Sequence, residues 1–169
     1  MEKERVCIFI DGSNLYYNLK RLNKTILDFL NYIPIIVGKR EIVFVFYYDA
    51  LLNINISKKA YWEQQKCFDI LKKISNIKIV LCKRKKLKIK GDDVSLAVDL
   101  VSYAYEDTYD SAILVSGDGD FIPAIKKAIS LGKKVESCYF NKSCSLELKR
   151  ACTNSICLDT LQICPALPK

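Results

Sequence analysis

Acidic residues form three short clusters along the chain. The first is Asp11-Gly12-Ser13-Asn14, the second is Asp92-Asp93, and the third is Ser116-Gly117-Asp118-Gly119-Asp120. Each cluster taken alone is typical of a tight turn or a helix cap. Carboxylates that meet at one place would repel each other, and a bound cation would relieve that repulsion. Because such a site offers only oxygen ligands, it would favour Mg²⁺ or Mn²⁺.

The elements that must position these clusters follow from the apolar pattern. Apolar runs of strand length, rich in β-branched residues, cover residues 6–10, 42–48, 77–82, 112–116 and 135–140. Helical spacing of apolar residues separates them, with Cys67, Ile70, Leu71 and Ile74 in one segment and Val94, Ala97, Val98, Val101, Ala104 and Tyr105 in another. This alternation predicts an α/β fold, a three-layer α/β/α sandwich with a mainly parallel central sheet.

The carboxyl ends of parallel strands share one edge of a sheet, and ligands bind there. The first and third acidic clusters follow strands, so we expect them to meet at this edge. The second cluster begins the helix before the fourth strand. At about 100° per residue, Asp93 borders the predicted buried stripe, whereas Asp92 and Asp99 are predicted on the opposite face. Asp93 is therefore the preferred ligand, with helix capping by Asp92 or Asp93 as the alternative.

Three residues mark predicted helix ends. Ser13 is predicted to cap a helix that starts near Asn14. Pro123 suits the first turn of a later helix, and Gly132 is predicted to end that helix. A single domain over residues 1–161 is expected, followed by an irregular tail over residues 162–169.

Composition excludes several kinds of chemistry. The 169 residues include no histidine, which removes imidazole from nucleophilic, acid–base and zinc-binding roles. The eight cysteines form no CxxC pair, and Cys7, Cys67 and Cys82 are predicted to be small buried hydrophobes. We expect a reduced protein of the cytoplasm. No apolar run approaches the length of a membrane span, so no membrane association is predicted.

The net charge of +8 favours polyanionic partners. Six positive charges fall within the eight residues 83–90, between a strand and the second acidic cluster. Such a run is often a solvated loop, but its position favours contacts with RNA phosphates by Lys83, Arg84, Lys85, Lys86, Lys88 and Lys90. Tyr47 and Tyr48 could stack on bases, although packing is the commoner role of tyrosines at strand ends.

These motifs together resemble the NYN domains of the LabA-like group, within the PIN-like metal-dependent nucleases. The resemblance rests on residues 9–15, on Lys90-Gly91-Asp92-Asp93-Val94 with residues 96–99, and on residues 114–123, and it extends through residues 148–152. It implies an acidic site built from Asp11, Asp93, Asp118 and Asp120, supported by Asn14 and Ser116. An acidic residue usual near the C-terminus is replaced here by Thr153 and Asn154.

The predicted function is a metal-dependent endoribonuclease in which Mg²⁺ or Mn²⁺ activates water. The substrate would be single-stranded or structured RNA, Lys90 would neutralise the scissile phosphate, and the product would carry a 5′-phosphate. A non-catalytic RNA-binding or regulatory module is the alternative, because a fold and a site do not guarantee turnover. A phosphatase or phosphotransferase ranks last, since that chemistry needs DxD directly after the first strand. The oligomeric state stays open, with a homodimer as one option.

Overall fold

The computed structural model describes residues 2–83 and 91–161. Within these ranges the strands are β1 (Arg5–Asp11), β2 (Glu41–Leu51), β3 (Ile77–Lys83), β4 (Ser111–Val115), β5 (Lys134–Tyr139) and β6 (Asn154–Cys157). The helices are α1 (Gly12–Arg21), α2 (Ile26–Leu30), α3 (Ile33–Val37), α4 (Lys58–Leu71), α5 (Gly91–Tyr105), α6 (Ile122–Ser130) and α7 (Leu146–Ala151).

The described strands form one parallel sheet in the order β3-β2-β1-β4-β5-β6. Alternate residues of β1 point to opposite faces, so Val6, Ile8 and Ile10 enter one core while Cys7 and Phe9 enter the other. Helices α1 to α4 cover the first face, and α5 to α7 cover the second. The predicted three-layer α/β/α sandwich is confirmed, and the sheet is parallel throughout the described residues.

Helix α5 presents a different face to the sheet from the one that the sequence predicted. Its buried stripe runs through Asp92, Leu96, Leu100 and Ala104. Three members of the predicted stripe, Val94, Val98 and Tyr105, are exposed instead. Apolar residues occur on both sides of this helix, and only the Leu96 and Leu100 side fits against β1, β2 and β3. The prediction that Asp92 faces away from the sheet is therefore wrong.

The predicted ends of α6 are confirmed. Pro123 lies in its first turn, where a missing backbone N–H costs nothing, and Gly132 follows the helix with a φ of 81°. The short strand β6 was not predicted. The predicted tail over residues 162–169 lies outside the described residues.

Candidate active site

The order of the strands reverses beside β1, because β2 pairs with one of its edges and β4 with the other. Such a reversal leaves a crevice at the carboxyl ends of the strands, where ligands of α/β sheets bind. Asp11 is the last residue of β1, and Ser116 follows β4. The Oγ of Ser116 donates a 3.0 Å hydrogen bond to Oδ2 of Asp11. The structure thus brings these two predicted residues together.

Hydrogen bonds continue from Ser116 to the third acidic cluster. The backbone N–H of Asp118 donates to Ser116 Oγ at 3.1 Å, and the N–H of Asp120 donates to Oδ1 of Asp118 at 3.0 Å. Asp118 thereby caps the 3₁₀ turn Gly119–Phe121. The structure places Asp118 next to Asp11 through Ser116, whereas Asp120 is exposed to solvent.

Asp11, and not Ser13, caps helix α1. Its backbone is extended, and its Oδ1 accepts a 3.0 Å hydrogen bond from the N–H of Asn14. The hydroxyl of Ser13 donates to the same oxygen at 3.1 Å. The predicted cap is wrong because the helix already begins at Gly12, before Ser13. Both oxygens of Asp11 accept hydrogen bonds, which fixes the orientation of this carboxylate.

Two glycines allow the close approach of the loops in the crevice. A Cβ atom at Gly117 would lie 2.0 Å from the backbone carbonyl oxygen of Ser143. A Cβ atom at Gly12 would lie 2.6 Å from the ring of Tyr47. The glycines of the DGSN and SGDGD motifs therefore have a packing role as well as a role in turns.

A second pair of carboxylates, Asp49 and Asp92, lies on the β2 side of the crevice. Burial raises the pKa of Asp49, and the charges of Asp92 and Asp11 raise it further, while hydrogen bonds from Gln64 and Ala50 act in the opposite direction. Asp92 is only 2% exposed, and its Oδ1 has no hydrogen-bond partner among the described residues. Asp49 is not among the predicted site residues, although it directly follows the predicted strand 42–48 and so fits the same strand-end rule.

A divalent cation fits the chemistry of these residues. Asp92 presents a buried oxygen without a hydrogen bond, and Asp49 has an environment that disfavours its negative charge. A cation would relieve both penalties. Within residues 2–83 and 91–161, however, no three carboxylates are close enough to hold one ion together. The carboxylates converge on the crevice without forming a complete coordination sphere.

An open pocket of about 310 Å³ adjoins Asp11 and Asp118. One wall is the face of α1 that carries Ser13, Tyr17 and Arg21. Lys142, from the loop after β5, also lines the pocket. The crevice therefore combines carboxylates with cations and an aromatic ring. None of Tyr17, Arg21 and Lys142 is among the residues predicted from the sequence.

A family model for the NYN domain matches residues 5–159. The chain belongs to the NYN domain family. NYN domains are part of the PIN-like nuclease superfamily. The domain is similar to the crystal structure of a protein of unknown function from Vibrio parahaemolyticus, with 25% sequence identity and a TM-score of 0.74, over 95% of this chain and 98% of that one. No curated protein matches the sequence.

The remaining predicted site residues of this NYN domain lie near the same edge. Asp93 is half-buried in the first turn of α5, beside Asp92. Asn14 lies in the first turn of α1 and lines the 310 Å³ pocket, where its Oδ1 accepts a hydrogen bond from Asn18.

Tyr47 and Tyr48 of the NYN domain are packing residues. They are 3% and 1% exposed, on opposite faces of the sheet, so neither ring is accessible to a base. The hydroxyl of Tyr48 donates a 2.8 Å hydrogen bond to Asp99, which therefore faces the sheet. The base-stacking hypothesis for these tyrosines is wrong, and so is the prediction that Asp99 points away.

The predicted RNA-binding run of the NYN domain is not covered by the structure. Arg84, Lys85, Lys86, Lys88 and Lys90 lie outside the described residues, as does the side chain of Lys83. Their role remains a prediction from sequence.

The amino edge of the sheet in this NYN domain holds a larger depression of about 1020 Å³. Ion pairs line it, including Arg5 with Asp107 and Asp110, and Lys134 with Glu4. The charges already compensate each other, so the depression is a weaker candidate for chemistry. Thr153 lies towards this edge, bonded to the backbone of Val135 at the start of β5. The departure from the family pattern at Thr153 is thus remote from the crevice.

The seven cysteines within the described residues are all free. No helix in the described part of the NYN domain is long and apolar enough to cross a bilayer.

Proposed function

We propose that this NYN domain is a metal-dependent endoribonuclease whose site lies in the crevice at the carboxyl ends of β1 and β4. The hydrogen-bonded series Asp11, Ser116 and Asp118 carries the proposal, because it unites two predicted acidic motifs that are about a hundred residues apart in sequence. The NYN family supports a nuclease acting on RNA. The motif around Lys90-Gly91-Asp92-Asp93 supports placement in the LabA-like group.

The ligands of Mg²⁺ or Mn²⁺ are proposed to come from Asp11 and Asp118 on one side and from the first turn of α5 on the other. Asp93 and exposed Asp120 complete the set implied by the resemblance, while buried Asp92 and neighbouring Asp49 are the carboxylates that the structure adds. When bound, the cation activates water and stabilises negative charge on the scissile phosphate.

The protein side chains prepare this site by orientation. Ser116 and the start of α1 hold Asp11 with one oxygen towards β4 and the other towards the helix. Because both oxygens are fixed before a ligand arrives, little reorganisation is required on binding. With no histidine in the chain, a metal-free imidazole route to RNA cleavage is unavailable. We expect a 5′-phosphate product, which forms when water attacks the phosphorus, the 3′-oxygen leaves and that oxygen takes up a proton.

A non-catalytic RNA-binding module is the second candidate function. It is favoured by the incomplete grouping of carboxylates, since no three of them within the described residues surround one position. It is also consistent with the cations Arg21 and Lys142 beside the acidic pair. For either function we propose a cytoplasmic protein, supported by the free cysteines.

Cleavage of labelled single-stranded RNA, with Mn²⁺ or with EDTA, separates the two functions. Asp11→Asn and Asp118→Asn should abolish Mn²⁺-dependent cleavage and retain RNA binding in EDTA, because each substitution removes one negative charge and little volume. Asp69→Asn is the matched control, since its side chain is 73% exposed on α4. Cleavage at the wild-type rate by folded Asp11→Asn and Asp118→Asn would exclude this site. Binding without cleavage by the wild type would favour the second function.

The helix ligand requires a separate comparison. The resemblance implies Asp93, whereas burial and the free oxygen point to Asp92. Stabilisation of the protein by Mn²⁺, measured as a rise in melting temperature, should be lost in the variant that removes the ligand. Asp92→Asn and Asp93→Asn therefore distinguish the two assignments without an activity assay.

A further inference from the structure

Helix α1 presents an exposed aromatic side chain to the crevice. Ser13, Tyr17 and Arg21 are four residues apart, so they lie in one row along the helix and form a wall of the 310 Å³ pocket. Asp11 precedes this helix and lies at one end of the row, where it lines the same pocket. Tyr17 is 64% exposed, so its ring is accessible to a ligand in the pocket.

The ring of Tyr17 is available for stacking. Its neighbour Tyr16 is engaged, since Lys20 lies 5.5 Å from the Tyr16 ring centre and the Tyr16 hydroxyl donates to Glu63. No cation lies over the ring of Tyr17 within the described part of the chain. Tyr16 contacts Tyr17 in an edge-to-face arrangement with ring centres 5.6 Å apart, which supports the position of Tyr17.

Two cations complete the pocket. Lys142 is exposed and lines the pocket. Arg21 donates to Asn18 at 3.2 Å and forms an ion pair with Asp159 at 3.9 Å, a distance too long for a hydrogen bond. A guanidinium has five N–H groups, so Arg21 retains donors for a phosphate. The carboxylates Asp11 and Asp118 lie beside these cations in the same pocket.

We propose that this pocket is a subsite for one unpaired nucleotide, which stacks its base on Tyr17 and places its phosphate near Arg21 and Lys142. The proposal rests on the proposed function and narrows its substrate to single-stranded RNA. The volume lies at the small end of ligand pockets, about 300–1,000 Å³, which suits one nucleotide and not a duplex. A stacked base inside a duplex has no free face to offer, whereas unpaired bases commonly stack on aromatic side chains.

Binding measured in EDTA tests the subsite without requiring cleavage. The probe is a fluorescein-labelled, single-stranded RNA of about 12 nucleotides, and the readout is fluorescence anisotropy. Tyr17→Ala should weaken binding by about 5-fold to 150-fold, the loss expected for one stacked base. Tyr17→Phe keeps the ring and should bind like the wild type. Tyr105→Ala is the matched control, because Tyr105 is 81% exposed at the end of α5 on the opposite face of the sheet.

A scan with single abasic nucleotides locates the stacked base. One abasic position should weaken binding to the wild type and have no further effect in Tyr17→Ala, because the ring and the base act as a pair. The subsite would be overturned if the wild type, Tyr17→Ala and Tyr105→Ala bound the single-stranded probe with equal affinity. It would also be overturned if Tyr17→Ala lost as much affinity for a duplex probe as for the single strand, or if the wild type did not bind single-stranded RNA. A wild-type protein that shows the Tyr17 effect but no Mn²⁺-dependent cleavage would support the subsite and refute only the nuclease.

Discussion

Replacing Ser116 by alanine should destabilise the protein, because the substitution removes the hydrogen bonds of the Ser116 hydroxyl. Ser116 is 1% exposed, donates to the Asp11 carboxylate at 3.0 Å and accepts from the Asp118 N–H at 3.1 Å. A hydrogen bond to a charged group contributes about 1.5–3 kcal/mol and a neutral one about 0.5–1.5 kcal/mol. Ser116→Ala should therefore lower the free energy of unfolding by about 2–4 kcal/mol.

Urea denaturation in EDTA, followed by circular dichroism, measures this loss. Ser137→Ala is the matched control, because Ser137 is similarly buried on the neighbouring strand. Among the described residues, its hydroxyl donates only a long, neutral hydrogen bond of 3.5 Å, to the backbone carbonyl oxygen of Ser116. Its loss should stay below about 1 kcal/mol. Mn²⁺-dependent cleavage should fall in Ser116→Ala and persist in Ser137→Ala, since only the first change releases Asp11. Equal losses of stability in the two variants would refute the assignment of Ser116 as the support of the acidic site.

Three other perturbations have expected outcomes. Gly117→Ala places a Cβ 2.0 Å from the backbone oxygen of Ser143 and should lower the free energy of unfolding in urea by about 3 kcal/mol or more. Gly119→Ala is the control, because its Cβ meets the nearest atom at 3.4 Å and the substitution should have little effect. Similar losses in the two variants would contradict the close approach of the loops at Gly117. Burial and the nearby carboxylates raise the pKa of Asp49, so the folded protein binds this proton more tightly than the unfolded chain does. The stabilisation that the bound proton provides is complete below the ordinary pKa of 3.8 and is lost as the pH rises through the raised pKa. In EDTA, the melting temperature of Asp49→Asn minus that of the wild type should therefore increase as the pH rises. A difference that does not change with pH would contradict the raised pKa of Asp49. Alanine substitutions at Lys83, Arg84, Lys85 and Lys86 should reduce the slope of log affinity against log salt concentration by up to about three. An unchanged slope would show that these four residues do not contact RNA phosphates.

The strands and the strand-end residues could be predicted because their signals are local. A strand buried on both faces is apolar throughout, and its last residue must lie at the carboxyl edge of a parallel sheet. That rule placed Asp11 and Ser116 correctly. The same rule covers Asp49, which directly follows the predicted strand 42–48, but Asp49 is a lone carboxylate outside the three acidic clusters. In the structure β2 continues beyond it to Leu51. The length of a strand depends on its neighbour, and β3 pairs with β2 as far as Leu51.

The orientation of α5 could not be read from its own sequence. Val94 and Val98 have the same spacing as Leu96 and Leu100, and hydrophobicity alone does not select between the two stripes. The contact with the sheet selects the leucine side and thereby buries Asp92. Strand β6, Asn154–Cys157, could not be predicted from the sequence either, because two of its four residues are polar and its strand conformation depends on pairing with β5.

The central position of β1 has a consequence for the order in which the protein assembles during synthesis. β1 can pair with β2, and β2 with β3, once residues up to Lys83 have emerged. The other edge of β1 stays open until β4, Ser111–Val115, is available. Until then the nascent chain exposes an apolar strand edge, a feature that promotes aggregation. Asp11 gains its contact with Ser116 only after residue 116 has been made. A chain truncated before β4 therefore lacks one half of the sheet and, with Ser116 and Asp118 missing, the hydrogen-bonded part of the acidic site.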